Sequence, residues 1–166
     1  MNVASLLQGL DEAHIRYVLV GGFALQLHGF QRATYDIDIA LAMDEDNLSR
    51  FIEVALRLSL IPVMPVPLDS LKNAALIDQW HREKGMLAFA LREAAPGGLV
   101  IDLLVKPEVR FAELAKRANK VTLLGHMVPI ASIDDLITMK RVAARPKDQI
   151  DIMALEKIKR GENPNE

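Results

Sequence analysis

Apolar and polar positions change their period several times along the chain, and each change marks an element. Leu6, Leu7 and Leu10 recur at helical spacing, which predicts a short amphipathic helix over 3–14. The β-rich run Arg16 to Val20 follows and stops at Gly21-Gly22. Phe23, Leu27 and Phe30 restore helical spacing and predict a helix over 23–29. From Thr34 to Ala42 a strand returns, with Ile37, Ile39 and Leu41 on one face and Asp36 and Asp38 side by side on the other. Asp44 or Asp46 can cap the next helix, which Leu48, Phe51, Ile52, Ala55 and Leu56 carry to about Leu60.

Prolines at 62, 65 and 67 keep residues 61–68 out of the middle of any sheet, because proline donates no ladder hydrogen bond. An extended connection or an irregular edge is expected there. Residues 68–84 read as partly helical, with Gly85 just past the end. Two strands, 86–92 and 99–105, are joined as a hairpin through the Pro96-Gly97-Gly98 region. A helix is predicted over 107–118 and a second hairpin, 121–124 with 127–130, around Gly125. Ser132-Ile133-Asp134-Asp135 opens a helix to about Ala144, with Asp135 in the place of the usual capping-box Glu. Pro146 interrupts the pattern, 147–160 forms the last helix, and 161–166 is a flexible polar tail expected to fray. Hairpins and helices are mixed without regular βα alternation, which predicts an α+β fold rather than a doubly wound parallel sheet. The expected organisation is one domain over 1–160, whose part 132–160 is a C-terminal helical block.

Composition narrows the functional classes. The chain has 166 residues and a net charge of −2, enough for a real core and too acidic for an indiscriminate nucleic-acid coat. It has no cysteine, so neither a disulfide framework nor a thiolate site is open to it. Asp11 and Glu12 break any signal-peptide pattern, and no apolar run approaches the roughly 20 residues that span a bilayer. A cytoplasmic protein without membrane contact is expected.

The chemistry centres on three carboxylates. Asp36 and Asp38 on one strand face repel each other and need a cation, for which Mg²⁺ with its oxygen ligands is the obvious choice. Asp102 is the one charge in the apolar run 99–105, where an isolated carboxylate is expensive unless paired or metal-bound. It reads either as a strand-end residue reaching solvent or an Arg, or as a further ligand; the pair Asp36 and Asp38 favours the ligand. Gly21-Gly22, between a strand and a helix, lets backbone approach an anion closely, although such a turn alone is a weak signal. Histidines 14, 28, 81 and 126 lack metal-ligand spacing, and Trp80 reads as a packing anchor. No Walker-type loop or Gly-x-Ser-x-Gly elbow is present.

Gly21-Gly22, the Arg32-Ala33-Thr34 approach, Asp36-Ile37-Asp38 and the later strand residue Asp102 resemble the nucleotidyltransferase superfamily built on the polymerase-beta-like palm. The block Ala131 to Lys140, followed by Ala143-Ala144-Arg145-Pro146-Lys147-Asp148 and Asp151, is similar to the abortive-infection type nucleotidyltransferases, which include toxins of toxin–antitoxin pairs. The resemblance implies a palm with a mixed sheet flanked by helices and C-terminal helices. It implies that Asp36 and Asp38 hold Mg²⁺, that Asp102 completes a two-ion site and serves as base, and that Gly21 and Gly22 line the triphosphate. Lys140, Arg145 and Lys147 would contact nucleotide phosphates. The activity implied is transfer of a nucleoside monophosphate from a nucleoside triphosphate to RNA, a protein or a small molecule, with an antitoxin-type protein as a further partner. Gly-Gly departs from the Gly-Ser of many members, whose hydroxyl can bond phosphate. The rival expectation is a protein that binds nucleotide or a partner on the same fold without turnover.

A plainer reading of the C-terminal block competes. From Met139 to Arg160 seven cations face three carboxylates, and such a run is usually a solvated helix face with Asp148 and Asp151 in local pairs. The same patch is also suited to gripping an RNA acceptor.

Overall fold

The computed structural model describes residues 2–166. Asn2 caps α1 (Val3–Glu12), and β1 (Tyr17–Val20) leads directly into α2 (Gly21–Leu27). The two glycines are therefore the first turn of that helix rather than a turn before it. After β2 (Asp36–Leu41), the Asp44 carboxylate accepts the backbone N–H of Asn47 and starts α3 (Glu45–Arg57). A short β3 (Leu60–Pro62), a 3-10 turn at Leu68–Lys72 and α4 (Ala74–Lys84) follow, with Gly85 closing α4 in the left-handed region at φ +63°. Then come β4 (Ala88–Glu93), β5 (Val100–Leu104), α5 (Phe111–Arg117), β6 (Asn119–Leu123), β7 (His126–Ile130), α6 (Ile133–Ala143) and α7 (Pro146–Lys159). Pro146 breaks the helical run as expected and does so as the first residue of α7, where its missing N–H has no partner to lose.

The strands form one seven-stranded sheet in the order β3-β4-β5-β2-β1-β7-β6. It is mixed: β2 runs parallel to β5 and β1 parallel to β7, while the remaining neighbours are antiparallel. The proline-rich segment supplies the outermost strand, so its lack of donors falls on an open edge.

One face of the central strands is apolar. Ile37 and Ile39 of β2, Phe89 and Leu91 of β4, and Ile101 and Leu103 of β5 are buried with Leu6, Leu7 and Leu10 of α1 and Phe51 and Ala55 of α3 in one core. At about 25 cal/mol per Å² of apolar surface, each large side chain there contributes roughly 1.5–3 kcal/mol. The alternate residues, Asp36, Asp38, Ala90 and Asp102, are only partly covered. Period-two alternation has thus sorted hydrocarbon to one side and chemistry to the other.

Two polar details were not legible in the sequence. Asn47 is fully buried and clips the β1–β2 pair together at one end: its amide donates to Arg16 O (3.0 Å) and Ala42 O (2.9 Å), and its oxygen accepts Arg16 N–H (2.8 Å). Asp135 is not a reciprocal cap. Ser132 Oγ accepts its N–H, but its carboxylate takes a forked hydrogen bond from Arg117 and ties α6 to α5. The polar tail, expected to fray, folds back instead: Asn165 accepts from Gln31 N–H (2.8 Å) and donates to Gly29 O (3.1 Å).

Candidate functional site

Register brings the three carboxylates together. β2 and β5 pair in parallel with Asp38 directly opposite Asp102 and Asp36 opposite Val100. Partners in register share a face of the sheet, and Asp36 shares it with Asp38 two residues on. Burial raises the Asp38 carboxyl to about 6, reinforced by the charges of Asp102 and Asp36 and opposed by Lys140 and Arg145. Asp102 is also raised, by burial first and then by Asp36. Thr34 Oγ1 donates to Asp36 O at 3.2 Å and sets the entry into β2.

Gly21 is fitted to this cluster. It has φ +66°, in the left-handed region, and a Cβ built on it would stand 2.0 Å from Asp38 Oδ2 and 2.7 Å from Asp38 Cγ. The β1–α2 junction therefore closes over the middle carboxylate of the three, and only glycine permits it. Gly22 lies against Thr34 instead, where a Cβ would be 3.0 Å from Oγ1.

The cations predicted from the C-terminal block divide. Lys140 is buried, with Nζ 2.8 Å from Asp151 Oδ2 and 3.4 Å from Asp148 Oδ1. Arg145 wraps Asp148: its Nε and backbone N–H each donate to Oδ2 at 2.9 Å, and Nη2 donates to Oδ1 at 3.3 Å. Both cations act on the charge of Asp38. Lys147 is exposed, on the turn before Asp148, and makes no ion pair among the described residues. His28, the histidine nearest the glycines in sequence, bonds Ala131 O through Nε2 at 2.8 Å and belongs to the packing.

The residues that sequence reasoning missed are the partners of these cations. Asp148 and Asp151 are buried, not members of a solvated face, and Arg32 reaches across to pair with Asp151. Burial pushes the Asp148 carboxyl up, but the hydrogen bonds from Arg145 and the charges of Lys140 and Arg145 outweigh it and hold the group below the ordinary carboxylate range. A usable signal was present: positions 148, 151 and 155 fall on one helical stripe, and Leu155 marks that stripe as inward-facing. Arg145, Lys140 and Arg32 thus form a cationic wall whose anchors are buried aspartates, beside an acidic face that lacks anchors of its own.

Among the described residues no group of three or more acidic or imidazole side chains is gathered tightly enough to enclose a metal ion. The three carboxylates share a face on adjacent strands, with no sulfur or imidazole among them. The donor chemistry is that of a hard divalent cation, and the shortage of countercharge at Asp38 is what such a cation would relieve. In donor type the three carboxylates suit Mg²⁺, although they are not gathered closely enough here to enclose it.

Comparison with solved structures bears on the architecture as a whole. ANT(2'')-Ia, solved with adenylyl-2''-tobramycin, matches with a TM-score of 0.59 at 15% identity, covering 96% of this chain and 87% of that one. The chain has the polymerase-beta-like nucleotidyltransferase fold. The lincosamide antibiotic adenylyltransferase LnuA, solved with lincomycin, matches with a TM-score of 0.58 at 18% identity over 95% of this chain and 98% of that one. An antigenic nucleotidyltransferase-like protein from Paracoccidioides brasiliensis gives 0.54 at 20% identity over 94% of this chain and 72% of that one. No protein-family model matches the sequence, and no curated protein matches it by sequence. At these identities the likeness is one of fold. The mixed sheet and the C-terminal helices expected for this nucleotidyltransferase fold are present, and no helix among the described residues is long and apolar enough to cross a membrane.

Proposed function

We propose that the protein is a Mg²⁺-dependent nucleotidyltransferase that moves a nucleoside monophosphate from a nucleoside triphosphate to a hydroxyl acceptor. The observation that carries the reading is the register of β2 on β5, which sets Asp38 opposite Asp102 on the face that Asp36 shares. An unbalanced acidic face beside anchored cations is a poor arrangement for stability and a good one for metal and triphosphate.

Asp36, Asp38 and Asp102 would hold the metal, and Gly21 lets the β1–α2 backbone close over Asp38 without a side chain in the way. When bound, Mg²⁺ would supply Lewis-acid stabilisation of the reacting phosphate oxygens. Asp102, its carboxyl raised by burial and by Asp36, takes the proton of the acceptor hydroxyl. The acceptor oxygen forms a bond to the α-phosphorus as the bond from that phosphorus to the bridging oxygen breaks, and pyrophosphate leaves. Lys140 and Arg145, held in place by Asp148, offset the charge on the departing phosphates. Lys147, exposed at the start of α7, would contact the outer phosphate. The resemblance of the C-terminal block to toxin nucleotidyltransferases adds a cytoplasmic toxin–antitoxin setting, in which an antitoxin-type partner binds the chain.

The test is label transfer from each α-³²P nucleoside triphosphate, with Mg²⁺, into fractionated cell extract, beside an Asp36→Ala/Asp38→Ala variant. Label that appears with the native chain and vanishes with the variant supports the enzyme. Nucleotide binding without any transfer replaces it with a binding protein on the same fold.

A further inference from the structure

The nucleotide half of the proposed reaction is built from Asp36, Asp38, Asp102 and the cations beside them. The acceptor half has a base, Asp102, but no surface assigned to bind the acceptor's body. A cavity of about 220 Å³ opens at the β3–β4 edge and is lined by Val63, Met64, Trp80, Met86, Ala88 and Ala90 among others. Its walls are almost wholly hydrocarbon. We propose that this pocket receives the acceptor, a small molecule that lodges an apolar ring or branched aliphatic group there and presents a hydroxyl to Asp102. The inference rests on the nucleotidyl-transfer reading above and names the substrate class for it.

Ala90 links pocket and site. It pairs with Asp102 in register on β4, as Asp102 pairs with Asp38 on β5, so one row across the sheet reads Asp38, Asp102, Ala90. Val63 extends the row, its N–H donating to Ala90 O at 2.9 Å. Neighbouring strands lie roughly 5 Å apart, so a group seated on Ala90 is within one small-molecule length of the Asp102 carboxylate. The space exists because positions 88 and 90 are alanine and because the edge strand ends at Pro62. Val63, 53% exposed, carries the apolar surface out to solvent.

Size and charge select the occupant. An apolar cavity of about 150 Å³ takes up benzene, so 220 Å³ admits a single ring with a short substituent. Lys84 is the one charged residue in the lining, which favours a neutral or anionic acceptor over a polycation. A nucleic-acid acceptor would find no cationic cluster here to take its phosphates.

Trp80 is the one tryptophan of the chain and lines the pocket, so its emission reports on occupancy. The experiment titrates 2-phenylethanol, cyclohexylmethanol and glycerol into the protein saturated with Mg²⁺ and α,β-methylene-ATP. Ala90→Phe and Ala88→Leu variants fill the pocket from different positions, and calorimetry follows nucleotide affinity in the same samples. The expected result is a saturable Trp80 response to the two apolar alcohols and not to glycerol. At least tenfold weaker binding of the alcohols in both variants should accompany unchanged nucleotide affinity. In the label-transfer assay, product then appears in the small-molecule fraction and falls with either variant. No saturable response overturns the proposal. So does competition between nucleotide and alcohol, which would make this the base site, and so does label in RNA or protein that the variants leave untouched. Failure of the parent reading is seen separately, as absence of Mg²⁺-dependent nucleotide binding in the calorimetry.

Discussion

The two ends of the β1–β2 pair are built on opposite terms. At one end the buried side chain of Asn47 satisfies three backbone groups of Arg16 and Ala42, and no net charge is left. At the other end Asp38, opposite Val20, is crowded by Asp36 and Asp102, and its carboxyl is raised to about 6 by burial and by those charges. The same two strands therefore carry a satisfied neutral knot and a frustrated acidic one within a few residues. The neutral end is what stability alone selects, since buried polar groups without partners are costly. The acidic end lowers stability, and such local conflicts concentrate where a sequence answers to function.

Three substitutions, one of them read twice, break or sharpen that contrast. The largest expected effect is at the acidic end: Asp38→Asn should lower label transfer by about 10²–10³-fold, the scale for losing a group that stabilises the transition state electrostatically, as read from initial rates at saturating nucleotide. At the neutral end, Asn47→Ala leaves Arg16 N–H, Arg16 O and Ala42 O without their partner. It should cost about 3 kcal/mol in urea unfolding while Mg²⁺-nucleotide affinity of the folded fraction is unchanged. Next, Asp148→Asn loosens the anchor of Lys140 and Arg145. A loss of about 10–100-fold, the range for residues that position a ligand-binding group, should fall on KM for nucleotide more than on kcat.

The smallest effect has the opposite sign. The Asp38 carboxyl releases its proton near 3.8 when unfolded and near 6 when folded, so between these values the folded chain binds more protons. Stability from this group is present at low pH and is lost as pH rises through that window. In metal-free buffer Asp38→Asn should therefore stabilise the protein at pH 7.5 by about 1–2 kcal/mol, allowing for water at its partly open side. The gain should shrink toward zero near pH 4 in paired unfolding curves.

Much of this architecture was legible because it rests on short-range rules. Alternation around Ile37 and Ile39 fixed the face of Asp36 and Asp38, the prolines at 62, 65 and 67 marked an edge, and Ser132 marked a helix start. Sheet order was not legible, because the pairing of β2 with the distant β5 is a property of the whole chain. Asp102 was found as an anomaly in an apolar run, but nothing in its sequence neighbourhood names Asp38 as its partner. The plainer reading of the C-terminal block puts Asp148 and Asp151 on a solvated face because charge dominates the composition of α7, while their position on the stripe of Leu155 is the better guide. Asn47 carried no signal at all, since a polar residue in the first turn of a helix looks like part of a cap. Gly21 was singled out for approach to phosphate, and the contact it makes is with Asp38.

The central claim is that the acidic face exists to hold metal and nucleotide. Its most direct test is unfolding free energy at pH 7.5 with and without Mg²⁺ and α,β-methylene-ATP, in the native chain and in Asp36→Ala/Asp38→Ala. The account predicts that ligands stabilise the native chain in proportion to their occupancy and leave the variant, already relieved of its repulsion, unmoved. Equal stabilisation of both, or of neither, would contradict it.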